Sequence, residues 1–228
     1  MSRLGLVPAR GGSRTIPRKN LKPLGGRPLL AWVVGAMRAS GSVDRVVVTT
    51  EDGEIADVAR AAGAEVLDRP EELARDDTPA LDVVEHALGA LECDWVLFVQ
   101  PTEPFVTPGQ ISATLELAEA RGADSGITVV EVPRNAHPFH VRVEIDGFLE
   151  FERADEHYAH PTRQSDPPRY AFGNLYWFRR DAFLRERAVE CGRRVGHPID
   201  SLTALDLNTP EDWALAEAVV AAGLVERW

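Results

Sequence analysis

The sequence is poor in cysteine, and the two it has, Cys93 and Cys191, stand far apart in no metal-binding or redox spacing. That excludes a disulfide framework and fits a reducing compartment. No apolar run approaches the roughly 18 to 20 residues that cross a bilayer. The start, Met1 to Arg10, lacks the cationic region and unbroken apolar stretch of an export signal, so a cytoplasmic protein without membrane contact is expected. Cations are in deficit: 25 Lys and Arg face 36 Asp and Glu, a formal net charge of −11. Such a surface repels phosphate backbones and argues against nucleic-acid partners. Neither G-x-x-x-x-G-K-S/T nor G-x-G-x-x-G occurs, which removes motif support for an ATPase or a dinucleotide dehydrogenase. There is no internal repeat and no low-complexity tract.

What is present is the balance of a globular chain. With 228 residues, 44% hydrophobic and 27% charged, residues 1–228 are expected to form a single domain with a substantial core. Apolar periodicity predicts strands at Arg3–Val7, Arg45–Thr49, Glu65–Leu67 and Trp95–Val99. Helices are predicted from Pro28 to about Gly41, over Glu54–Ala62 and Ala80–Leu91, and over Pro108–Ala120. Strands alternating with helices imply a mostly parallel sheet covered on both faces, and Trp32 and Trp95, on apolar faces, are expected in its core.

The pattern changes after a strand at Ile127–Val132. Residues 133–180 are rich in aromatics, histidines and prolines, with strand-like runs at Val141–Ile145, Phe148–Phe151 and Leu175–Phe178 and no helical periodicity, so they are read as an antiparallel excursion. Its aromatics suit either a packed core or a subunit interface. A helix over Asp181–Val189, a strand near Leu205–Asp206 and a helix from Pro210 to about Ala222 complete the expectation. His137-Pro138-Phe139-His140 and His157-Tyr158-Ala159-His160 both read H-x-x-H. In proline-rich loops that spacing favours a polar loop or part of a pocket over zinc.

The strongest local signal follows the first strand: Pro8-Ala9-Arg10-Gly11-Gly12-Ser13-Arg14, continuing to Lys19-Asn20. Arg10, Arg14, Arg18, Lys19 and Lys22 concentrate in one short stretch of an acidic protein. A buried strand emptying into a loop of glycine, serine and cations presents amides and positive charge to a small anion at the carboxyl edge of the sheet.

Further motifs follow in order: Val48-Thr49-Thr50-Glu51-Asp52; Arg69-Pro70-Glu71-Glu72-Leu73-Ala74 with Asp76, Asp77 and Thr78; Gln100-Pro101-Thr102-Glu103-Pro104; Arg163-Gln164; and Asp206-Leu207-Asn208-Thr209-Pro210-Glu211-Asp212. Together with the cationic loop, they resemble the acylneuraminate (CMP-sialic acid synthetase-like) cytidylyltransferase family. The resemblance implies a mononucleotide-binding, Rossmann-like α/β fold with an antiparallel dimerisation excursion. It also implies a homodimer, and transfer of CMP from CTP to a small acidic acceptor of the 2-keto sugar acid type, with pyrophosphate leaving. By the same resemblance, Ala9, Arg10, Gly11, Ser13, Arg14, Lys19, Asn20, Arg69 and Thr78 would bind the nucleotide. Gln100, Thr102, Arg163, Gln164, Tyr170 and Asn174 would face the acceptor, and Asp206 and Asn208 would lie at a magnesium ion (Mg2+). Arg10, Lys19 and Asp206 would be catalytic.

The chain also departs from that pattern. Thr15 stands for glycine and Arg14 for lysine, Asn208 for a second aspartate, and Glu103, Phe105 and Val106 for serine, leucine and arginine. Gly173-Asn174 stands where Asn-Gly is usual. Most of these changes fall on the acceptor side, which keeps a phosphonate or another small acid open as the acceptor. Asn208 keeps open a noncatalytic nucleotide-binding protein.

Overall fold

The computed structural model describes residues 1–160, 162 and 165–228. In chain order the strands are β1 (Arg3–Pro8), β2 (Pro23–Leu24), β3 (Arg27–Pro28), β4 (Arg45–Thr50), β5 (Glu65–Asp68), β6 (Trp95–Phe98), β7 (Ser125–Glu131), β8 (Arg142–Ile145), β9 (Phe148–Phe151), β10 (Tyr170–Arg179) and β11 (Arg194–Pro198). The helices are α1 (Leu29–Ser40), α2 (Gly53–Ala61), α3 (Ala80–Ala90), α4 (Pro108–Ala120), α5 (Ala154–Ala159), α6 (Arg180–Glu186) and α7 (Pro210–Ala221).

Among the described residues, seven strands form one sheet in the order β11-β7-β10-β6-β1-β4-β5. The pairs β1–β4, β1–β6, β4–β5 and β7–β11 are parallel, and β10 runs antiparallel between β6 and β7. The expected α/β architecture with a mostly parallel sheet is therefore present. Alternation along the strands builds a core on each face. Val7, Val48, Leu97 and Trp177 join α1 and α4 on one side, while Leu6, Val47, Val96 and Phe178 join α3 and α6 on the other. A third cluster seats α7 through Trp213, Ala216 and Val220 against Ile16, Leu24, Trp32 and Leu207, next to the loop after β1. Trp32 and Trp95 are buried as expected.

The chain steps from β1 outward to β4 and β5 on one side, then returns to place β6 on the other. That reversal beside β1 is the switch point at which open α/β sheets leave a crevice at their carboxyl ends. Two helices start there on reciprocal caps. The Thr107 hydroxyl accepts from the Gln110 amide while the Gln110 side chain accepts from the Thr107 amide, and Thr209 and Asp212 repeat the arrangement, each followed by proline. Both caps serve the helix ends that sequence periodicity also marks.

Three expectations fail. No strand forms at Leu205–Asp206, where the chain crosses the sheet edge with a single ladder-like bond from the Leu207 amide to the Thr102 carbonyl at 2.9 Å. The strand of that region is β11, hidden in the sequence because Arg194-Val195-Gly196-His197-Pro198 carries glycine and proline; it is an edge strand bonded on one side, where both are tolerated. Helix α5, one short uncapped segment with no buried residue, has too few turns to show a periodicity.

The excursion also divides. Its β8–β9 hairpin closes on Asp146-Gly147, both at positive φ, and forms a separate two-stranded sheet, whereas β10 extends well before Leu175 and belongs to the main sheet. Aromatics of the region accordingly fall into two groups. Trp177, Phe178 and Phe139 are buried, while Phe148, Tyr158 and Tyr170 are exposed.

Candidate active site

A cleft of about 260 Å³ opens at the switch point, lined by Arg10, Gly12, Ser13, Lys19 and Asn20 from the loop after β1, by Gln100, Pro101 and Thr102 after β6, and by Asp206 and Asn208 before α7. Segments far apart in sequence meet here. Size does not single it out, since larger hollows exist elsewhere; convergence of a cationic loop and a carboxylate at the carboxyl edge of the sheet does.

Each wall is fastened. Lys19 Nζ donates to the Leu207 carbonyl at 2.8 Å, tying the cationic loop to the Asp206 segment. Asn20, buried, donates through Nδ2 to the Arg10 carbonyl at 2.9 Å and holds the loop closed on itself. Partial burial lowers the Lys19 ammonium's pKa, with nearby Asp206 pulling it up and Arg10 pushing it down. An ammonium placed this way gains from any anion entering the cleft.

Other expected nucleotide residues sit behind or beside the cleft. Ala9 is fully buried in the core. The Gly11 amide donates to Glu51 Oε1 at 2.7 Å, and a Cβ at Gly11 would collide with Asp52, so this glycine is required by close approach. Arg69 is buried, donating to the Thr49 carbonyl at 2.5 Å; burial pushes its guanidinium down to about 10, against the pull of Glu51. Glu51 and Arg69 therefore brace the loop from beneath. Arg10 and Arg14 both pair with Asp76, and Arg14 is largely exposed outside the lining residues. Thr78 is half-buried with its hydroxyl on the Glu72 carbonyl, also outside the lining.

On the acceptor side, Gln100 and Thr102 line the cleft. Arg163 and Gln164 lie outside the described residues. Tyr170 is exposed at the start of β10, opposite Glu131. Asn174 has no exposure, and its side chain is spent internally: Oδ1 accepts from the Thr128 hydroxyl at 2.9 Å, while Nδ2 donates to Gln110 Oε1 at 3.1 Å and to the Thr203 carbonyl at 2.9 Å. Its neighbour Gly173 sits where β10 shifts register, and a Cβ there would lie 2.6 Å from Thr128 Oγ1. The Gly-Asn order is thus a packing device. It anchors the turn at residues 201–204 that leads into Asp206. Sequence reasoning missed Gln110, Thr128 and Thr203 in this network, and only the Gly-Asn inversion signalled it.

The oxygen chemistry suits a hard divalent ion. Asp206 Oδ1 and Glu103 Oε2 are both buried without a hydrogen-bond partner among the described residues, and Asp206 Oδ2 accepts from Asn208 Nδ2. No group of three or more His, Cys, Asp or Glu side chains among the described residues is arranged to hold a metal unaided; magnesium ordinarily takes one or two carboxylates with phosphate oxygens and water. The histidine motifs do not converge on a metal either. His140 bonds Asp166 at 2.8 Å and His157 at 3.1 Å, and His160 bonds the Glu156 carbonyl at 2.8 Å.

Comparison with known proteins gives the family. Residues 4–189 match the family model described as cytidylyltransferase. N-acylneuraminate cytidylyltransferase A of Danio rerio is 31% identical over 93% of this chain but 49% of its own length, so the chain spans about half of that relative. The CMP-N,N'-diacetyllegionaminic acid synthase of Legionella pneumophila is 30% identical over 95% of both chains, and the 3-deoxy-manno-octulosonate cytidylyltransferase of Synechococcus elongatus is 34% identical over 82% of this chain and 78% of its own. Among solved structures, a CMP:2-keto-3-deoxy-manno-octonic acid synthetase complexed with CTP covers 98% of this chain and 100% of its own, with a TM-score of 0.74 at 18% identity, a likeness of fold. No described helix is long and apolar enough to cross a membrane. With the family match running from β1 through the cleft-lining loops after β1 and β6 to the end of α6, the chain belongs to the cytidylyltransferase family.

Proposed function

We propose that the chain transfers CMP from CTP to a small acidic acceptor, a 2-keto sugar acid of the nonulosonic type, and releases pyrophosphate. The observation that carries this reading is the cleft itself, where Arg10, Lys19 and loop amides meet Gln100, Thr102 and Asp206 at the switch point. Relatives named for N-acylneuraminate, diacetyllegionaminic acid and deoxy-manno-octulosonate are 30–34% identical to the chain, which supports an acceptor of this class.

In the proposed reaction the acceptor hydroxyl oxygen attacks the α-phosphorus of CTP, the new phosphorus–oxygen bond forms, and the bond to pyrophosphate breaks. Nucleotidyl transfer asks the protein for positioning and charge more than for covalent chemistry. Arg10 and Lys19 stabilise the charge gathering on the departing pyrophosphate. Asp206 is the one carboxylate among the described lining residues, and its negative charge assists loss of the attacking hydroxyl's proton to water. Asp206 would also hold a magnesium ion, which when bound neutralises the α-phosphate and aligns it with the acceptor. Gln100 and Thr102 orient the acceptor.

The exposed apolar side chains of the β8–β9 hairpin and α5, among them Ile145, Phe148, Leu149 and Tyr158, support a homodimer through this excursion, because an isolated two-stranded hairpin is marginal in water.

The test is pyrophosphate release with CTP and a panel of sialic, deaminated, diamino-type and octulosonic acids alongside simple phosphonates. One sugar acid should be clearly preferred. Turnover of phosphonates alone would overturn the sugar-acid assignment, and no release with any acceptor would overturn catalysis.

A further inference from the structure

Glu103 is 3% exposed, one of the few carboxylates in the buried interior. Its Oε2 has no hydrogen-bond partner among the described residues, and the same is true of Asp206 Oδ1. The two residues belong to segments fastened side by side, since the Leu207 amide donates to the Thr102 carbonyl at 2.9 Å, one residue from each carboxylate. Glu103 is itself held in a turn, its amide on the Gln100 carbonyl at 3.1 Å, so it hangs from the loop that lines the cleft with Gln100, Pro101 and Thr102. Burial first, and Asp206 second, push its carboxyl up to about 9. A buried carboxylate oxygen beside another carboxylate, without a hydrogen-bond partner among the described residues, is costly to ionise unless a cation is bound there. Asn208, at the third position of the same cleft wall, brings no charge; its amide is turned onto Asp206.

We propose that Glu103 and Asp206 together hold the divalent cation, Glu103 supplying the second carboxylate that Asn208 does not. This rests on the metal-assisted reading given above. A divalent magnesium or manganese ion takes hard oxygen ligands, and its affinity follows the number of charged ligands.

The test is Mn2+ binding to the full chain without nucleotide, followed by the electron paramagnetic resonance signal of free Mn2+, with thermal unfolding of the metal-free protein measured in parallel. Glu103→Gln should weaken Mn2+ binding about tenfold or more, as loss of a charged ligand does. Its metal-free unfolding temperature should stay near the parent's, because the amide is of the same size and shape as the carboxyl and Oε2 has no hydrogen-bond partner among the described residues to lose. Adding Asn208→Asp to Glu103→Gln should restore much of the affinity. Wild-type Mn2+ affinity in Glu103→Gln, with affinity lost in Asp206→Asn, would overturn the role of Glu103 alone. Unchanged affinity in Asp206→Asn, or a parent protein that leaves all Mn2+ free, would overturn the metal reading as well. Should Glu103→Gln not fold, Glu103→Asp, which keeps the charge and shortens the reach, should bind more weakly than the parent, and equal affinity would overturn the proposal.

Discussion

The loop after β1 and the β8–β9 hairpin both lie outside the main sheet, yet they are held in opposite ways. The loop is fixed by polar ties to distant segments: Gly11 to Glu51, Asn20 to Arg10, Lys19 to Leu207. The hairpin is fixed by its own Asp-Gly turn and leaves Ile145, Phe148 and Leu149 in solvent. A site for a highly charged ligand needs donors already in place, since reorganising them at the moment of binding costs affinity. An apolar strand pair without a covering layer gains only when something covers it. The difference teaches that the cationic loop is fastened within one chain, whereas the apolar side chains of the hairpin have no covering layer among the described residues.

The comparison breaks first at Asp206. Asp206→Asn should lower turnover by about 100-fold or more at ordinary magnesium, roughly 2.7 kcal/mol. Circular dichroism should show an intact fold, and near-native turnover would remove Asp206 from the site. Next comes the strut beneath it. Asn174→Ala leaves Thr128, Gln110 and the Thr203 carbonyl short of partners in a fully buried place, at a cost of about 1–3 kcal/mol. Denaturant unfolding should show it, and an unchanged midpoint would contradict the network.

Lys19→Ala should cut kcat/KM for CTP about tenfold, roughly 1.4 kcal/mol, with little change in thermal unfolding; unaltered kinetics would take the loop out of the mechanism. The hairpin sharpens the contrast. Phe148→Asp with Leu149→Asp should convert dimer to monomer in sedimentation velocity while CTP binding stays within about twofold, as expected for surface changes remote from the nucleotide wall; a parent protein already monomeric would deny the excursion its partner.

The smallest effect concerns Asp76, which pairs with both Arg10 and Arg14 at the surface and which those arginines keep ionised to lower pH than usual. Asp76→Ala frees both cations and should tighten CTP binding about twofold at low salt, the gain fading as salt screens it. Weaker binding would mean that Asp76 orders the loop rather than competing for its cations.

Local pattern made much of this legible. The limits of α4 and α7 were readable because proline and a hydroxyl cap stand at their starts, and the hairpin because two short apolar runs flank Asp146-Gly147. The strand β11 was illegible because an edge position tolerates the glycine and proline that normally argue against a strand. Arg69 and Asn174 look in sequence like ligand-facing polar residues, yet both are buried behind the site. Nothing in a one-dimensional pattern separates a polar residue that meets a ligand from one that carries the residue meeting it.

By itself the sequence determined the alternation of strands and helices, the cationic loop after the first strand and the order of the motifs, since each depends on neighbours a few residues apart. Only the tertiary structure decided which cations reach the cleft, that β10 enters the main sheet antiparallel, and that Glu103 lies buried near Asp206 with Oε2 unpartnered among the described residues. Those outcomes hang on contacts such as Lys19 with Leu207 and Thr102 with Leu207. They join segments whose separation along the chain leaves no local trace, and burial, not residue type, sets what each side chain can do there.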